Sequence, residues 1–139
     1  MSKDKDFINF LKSEARHYWR VSDEKKTELE RYIIEVAGRM YSFNAKYYYV
    51  PDVFGYAITG GGCVRIHENG LRVVTLFKHS MMTLLHEIAH CFGLNQKQAI
   101  DWSHKIFKNA FPKTYKRAVE RGLFLSYPKG QTAEEESDV

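Results

Sequence analysis

An α+β fold is what this sequence predicts: two helices, a small antiparallel sheet, then three more helices. Three observations lead to it. Apolar residues recur at helical spacing before residue 42 and again after residue 80. The stretch between them is rich in aromatic and β-branched residues punctuated by glycine and Asn-Gly. No internal repeat and no long linker divides the 139 residues, so a single domain over 1–127 is expected, followed by a polar, acidic tail over 128–139 without fixed structure.

Phe7, Leu11, Ala15 and Tyr18 mark one apolar face of a first helix over about residues 4–19. Ser22 is placed to cap a second, with Asp23 and Glu24 in its first turn, a stripe of Leu29, Ile33, Val36 and Met40, and an end near Tyr41. AKYYYVPDVF changes period and reads as a strand interrupted by Pro51, which suits an edge or a strand end. GYAIT, CVRIHE and LRVVTLF then read as short strands, with Asn69-Gly70 as a hairpin turn. The glycines 60–62 read as a turn, because neither Gly-Lys-Ser/Thr nor a helix follows as a phosphate loop requires. Helices are expected from Ser80 to about Gly93, over 96–110, and from Pro112 to Gly122.

Composition narrows the function classes. Hydrophobic residues make up 44% and charged residues 27%, as in a globular chain. No apolar run approaches the roughly 20 residues of a membrane span, and the charged start MSKDKDFINF is unlike a signal peptide. With only Cys63 and Cys91, a disulfide framework is excluded and a reducing, cytoplasmic setting is expected. The net charge is +4, and the segment 97–129 alone carries about +6 through Lys97, Lys105, Lys108, Lys113, Lys116, Arg117, Arg121 and Lys129. A solvated helical face accounts for such a segment, and DNA is the partner it could otherwise meet.

The chemistry lies in HEIAH at 86–90. On a helix, histidines at i and i+4 stand one above the other on one face, so His86 and His90 can reach the same ion. Met81, Leu84, Leu85, Ile88 and Phe92 lie roughly opposite and form the packed back of the helix. Glu87 falls beside His90, where it can polarise water without being a ligand. With 6 His in the chain, chance matches to HExxH are expected on the order of 0.02 times. A catalytic zinc ion takes three protein ligands and leaves a position for water. His104 is expected as the third, since a turn at Gly93 lets its helix fold back, whereas His67 is on a hairpin strand and His79 precedes the active helix. Glu120 and Asp101 are carboxylate competitors, Asp101 being better suited to orienting an imidazole one helical turn away. Tyr115, Tyr127 and His79 are candidate donors to an oxyanion.

With these residues in view, the chain resembles the SprT-like (Spartan-type) metalloprotease family over roughly residues 45–111. TLLHEIAHCFG carries the resemblance strongly, while DWSHKIFKNAF and the strand region GYAITGGGCVRIHENG carry it more weakly. The family follows HExxH with His-Gly-x-x-Phe; here His104 matches the histidine, Lys105 stands in place of the glycine, and Phe107 comes one residue early. Many members add a Cys-rich zinc ribbon, which this sequence cannot form. The resemblance implies a minimal zincin-like domain: a zinc-dependent endopeptidase acting on protein or peptide, with Zn²⁺ on His86, His90 and His104 and Glu87 as general base. It also implies DNA-associated substrates in some members. The competing reading is a non-catalytic, zinc-stabilised module that binds nucleic acid or protein and has no open coordination position.

Overall fold

A computed structural model describes residues 2–51 and 61–123. In chain order the elements are helix α1 (Lys3–Glu14), a 3₁₀ turn (Tyr18–Arg20), helix α2 (Asp23–Tyr41), strands β1 (Ala45–Tyr49), β2 (Gly62–Ile66) and β3 (Arg72–Leu76), and helices α3 (Met81–Cys91), α4 (Gln96–Ala110) and α5 (Pro112–Glu120). The α+β class and the order of these elements agree with expectation. The strand expected at GYAIT and the tail over 128–139 lie outside the described residues.

Two expectations need correction. The first helix stops at Glu14 rather than running to residue 19. Ala15 leaves the helical conformation, and the Ala15 and His17 carbonyls accept from the Tyr18 and Arg20 amides in a tighter turn. That turn sends Tyr18 inward, where it is 1% exposed. The sheet, expected to be antiparallel, is mixed, with order β1-β3-β2. The Asn-Gly turn makes β2 and β3 antiparallel, Val64 facing Val74. β1 joins the far side of β3 in parallel, Tyr47 facing Val74, instead of pairing with β2.

Helices α1 to α4 start where a side chain satisfies free backbone amides. Ser2, Ser22 and Ser80 accept from the amides of Lys5, Lys25 and Thr83 at the starts of α1, α2 and α3. Asn95 and Gln98 form a reciprocal capping box at the start of α4. α1 and α4 pack through rings, Phe7 stacking on Trp102 with centroids 6.0 Å apart, and beside them Tyr41 at the end of α2 stacks on Phe92 after α3 at 4.4 Å. Asp4 ties this face together, accepting from Tyr41 Oη (2.6 Å), Trp102 Nε1 (3.1 Å) and Lys105 Nζ (2.8 Å). Burial alone would raise the Asp4 carboxyl, but these donors hold it below its ordinary value.

At the centre, Glu30 is fully buried and its carboxylate accepts from Tyr18 Oη (2.5 Å), Tyr47 Oη (2.6 Å) and His79 Nδ1 (3.0 Å to each oxygen). Four segments therefore meet on one side chain of α2: the 3₁₀ turn, β1, α2 itself and the residue before the Ser80 cap. A buried carboxylate is tolerated only with such a set of donors.

Two stability outcomes follow from these contacts. Tyr47→Phe strips one donor from a buried carboxylate and is expected to cost about 1–3 kcal/mol in urea unfolding. Asp4 has its folded pKa depressed below 3.8, so its contribution is present above that pH and lost as pH falls through the lower folded value. The difference in urea midpoint between wild type and Asp4→Asn should therefore be largest at pH 5 and shrink towards pH 2.

Candidate metal centre

Helix α3 is more deeply placed than an amphipathic surface helix. Every residue from Met81 to Ala89 is buried, including His86 at 6% and Glu87 at 7% exposure. Its apolar side chains fill the core beside Val74 and Leu76 of β3. Gly62 lets β2 approach: a Cβ there would stand 2.8 Å from Leu76 Cδ2 and 3.0 Å from Thr83 Cγ2. At the other end of the helix, Arg72 Nε of β3 donates to the Cys91 carbonyl (2.8 Å), satisfying a group the helix leaves open.

The motif histidines meet on this scaffold. His86 Nε2 and His90 Nε2 are 3.1 Å apart. His90 Nδ1–H donates to the Leu94 carbonyl (2.9 Å), which orients the ring and, in its neutral form, leaves Nε2 as a lone pair facing His86. The partner is a backbone carbonyl in the turn after α3. There Gly93, at φ +100°, takes a conformation suited to glycine and bends the chain into α4.

A residue not singled out in the sequence lies against the pair. Gln96, first residue of α4, brings Oε1 to 3.1 Å from His86 Nε2 and 3.1 Å from His90 Nε2. Nothing in its residue type signals this; the sequence clue is its place just past the Gly93 turn. His104, the expected third ligand, is half-buried on α4 with Nδ1 2.9 Å from Tyr115 Oη. It is near enough for its charge to act on His86. Among the described residues, no three His, Cys, Asp or Glu side chains gather as a metal-holding group.

Asp101, expected to orient an imidazole, instead takes an exposed ion pair with Lys97 at 3.3 Å, while its charge still acts on His104. Of the candidate oxyanion donors, Tyr115 is engaged with His104, His79 is engaged with Glu30, and Tyr127 lies outside the described residues. Lys105 of the basic segment is paired with Asp4 at 2.8 Å. Among the described residues no helix is long and apolar enough to cross a membrane.

The electrostatics suit a cation. Burial pushes His86 down to about 4, with His90 and His104 acting the same way and the Gln96 hydrogen bond opposing. Its imidazole is thus neutral at physiological pH, the form that binds metal. Burial raises the Glu87 carboxyl to about 8. A positive charge close by favours the carboxylate against that burial. The donor atoms also fit. Around a tetrahedral zinc with bonds of about 2.0–2.1 Å, ligand atoms stand roughly 3.3–3.4 Å apart, close to the 3.1 Å between the two imidazole nitrogens.

Comparison with family models, with curated proteins and with solved structures found no match to this chain, so its own residues carry the functional argument.

The Leu94 contact sets the tautomer of His90, which nitrogen NMR can read. In metal-free protein at pH 8, His90 is expected to carry its proton on Nδ1 and to show a pyridine-like Nε2. A protonated Nε2 would remove the lone pair on which metal binding depends.

Proposed function

We propose that the chain is a zinc-dependent metalloendopeptidase of the SprT-like kind, with His86 and His90 among the zinc ligands and Glu87 as general base. The observation that carries this reading is the facing pair of imidazole nitrogens 3.1 Å apart, one of them held by the Leu94 carbonyl, on a helix that also buries Glu87. Zinc bound there supplies a Lewis acid that polarises a peptide carbonyl and makes water nucleophilic at neutral pH.

The chain's own residues supply the rest. Glu87 takes a proton from the attacking water and returns it to the leaving amine. Its burial keeps bulk water from competing for that proton. β2 packs against α3 and lies at one end of the sheet among the described residues, so an extended peptide pairing along that end would run past the motif. Backbone hydrogen bonds there would position the substrate with little demand on its sequence.

A second reading, DNA-associated substrates, draws on one observation: Lys108, Lys113, Lys116, Arg117 and Arg121 are all exposed on or beside α4 and α5. Such a face supplies phosphate contacts without sequence selectivity.

Glu87→Gln is expected to keep zinc and to lose about 10²–10⁴-fold in hydrolysis of an unfolded protein substrate, followed by appearance of new N-termini. Cleavage that persists undiminished in the variant would end the general-base assignment. Zinc retained with no cleavage by wild type under any condition, together with nucleic-acid or protein binding indifferent to Glu87, would favour the zinc-stabilised binding module.

A further inference from the structure

We propose that the groove at the start of α3 is a binding site for a peptide C-terminus, taking a last residue with a large apolar side chain and a free carboxylate. The inference does not rest on the metal-centre reading, because the groove opens at the other end of α3 from the turn that holds His90.

The groove has a volume of about 390 Å³ and lies between the 3₁₀ turn, the first residues of α3 and helices α4 and α5. That size suits a small ligand or the last residue or two of a chain. Trp19, Met82, Phe107 and Leu123 give it apolar walls. Trp19 and Leu123 are 38% and 65% exposed, so an occupant has apolar area left to cover.

Cations flank this apolar surface. Arg117 of α5 and Arg121 at its end both line the groove and are exposed. Among the described residues neither has a carboxylate partner. Ser80, Met81 and Met82 bring the amino end of α3 to the same groove, and that end of a helix favours negative charge. Guanidinium forks match the planar geometry of a carboxylate.

His79 adds a requirement that charge alone does not meet. Its side chain is only 8% exposed, and it lines the groove. Nδ1 is turned to Glu30 at 3.0 Å, and the ring stacks on Tyr49 with centroids 3.9 Å apart. Neither Glu30 nor Tyr49 belongs to the groove wall, so the edge carrying Nε2 is the part of the ring left towards it. Among the described residues Nε2 finds no hydrogen-bond partner. With the ring proton on Nδ1, Nε2 is an acceptor in need of a donor, and a buried polar atom in that state costs free energy until one arrives.

One small chemical unit answers all three demands. In the last residue of a peptide the side chain, the carboxylate and the amide N–H all leave from the same Cα. The side chain covers the apolar wall, the carboxylate meets the guanidiniums and the start of α3, and the N–H donates to His79 Nε2. A phosphodiester backbone also suits the arginines, but it brings no apolar side chain and no such donor.

The test is fluorescence polarisation of a dye-labelled hexapeptide ending in phenylalanine, with the full chain. Controls are the same peptide as its C-terminal amide and a version ending in serine. Binding is measured in chelator-treated wild type and in zinc-loaded Glu87→Gln, so that nothing is cut in either. The free acid should bind both alike, with the amide and the serine peptide at least about tenfold weaker. Arg117→Gln and Arg121→Gln, each checked by circular dichroism, should weaken the acid about threefold or more. In nitrogen NMR the Trp19 indole and His79 Nε2 signals should move on binding.

Equal affinity for acid and amide, unchanged affinity in both arginine variants, or unmoved Trp19 and His79 signals would overturn the proposal, as would no binding at all. Short duplex DNA that displaces the peptide and binds more tightly would assign the arginines to nucleic acid instead. Binding seen only with zinc would put the carboxylate on the metal, overturning the groove and leaving the metalloenzyme reading in place. A protein that binds the free acid as expected yet never cuts a substrate would uphold the groove and end the protease reading.

Discussion

A carboxylate shut away from water must find all its hydrogen-bond donors inside the protein, and Glu30 finds them on three separate segments. Tyr18, Tyr47 and His79 have little in common except that each is brought to the same two oxygens. Removing the carboxylate would leave buried donors stranded, and removing any donor would leave the charge less well solvated. The cluster therefore joins the elements collectively. Its reach extends to chemistry because His79 immediately precedes Ser80, the cap of α3. The start of the motif helix is anchored by Glu30 through one side chain and by the Thr83 amide through another.

The far end of α3 is anchored separately. Arg72 grips the Cys91 carbonyl from β3, and the turn at Gly93 feeds the chain into α4 with its own backbone hydrogen bonds. Between these anchors the helix is buried on nearly every side, with Gly62 allowing β2 to lie against it. Such packing leaves the imidazoles few rotamers, which is how a site keeps donor atoms in place. Burial also explains why His86 stays neutral and why Glu87 holds its proton until positive charge is near.

What was legible in the sequence was what depends on neighbours along the chain. Ser22 as a cap, the helix opening at Ser80, the Asn-Gly turn, the span 96–110 and the histidines at i and i+4 are local patterns, and the structure repeats them. The parallel pairing of β1 with β3 was not legible, because strand partners far apart in sequence are chosen by the packing of the whole domain. The early end of α1 was hidden for a related reason: Tyr18 continues the helical spacing yet leaves the helix to reach Glu30. Glu30 itself left a trace. It lies three, four and seven residues before Ile33, Ile34 and Ala37, all buried, so its face was the core face. Gln96 left less, since glutamine is ordinarily a surface residue and only the conformation of Gly93 aims it at the histidines.

The arrangement around Gly93 has a thermodynamic consequence. His86 and His90 fall within one turn of the same helix, and the entropy of closing a loop grows only with the logarithm of its length. A cation could collect these side chains while most of the domain is still unfolded. Ligands raise melting temperature only by as much as they prefer the native state over the denatured one. A metal that also holds the denatured chain by the same local stretch would shift the melting point less than its affinity suggests, and in refolding it would serve as an early organiser of the α3–α4 corner.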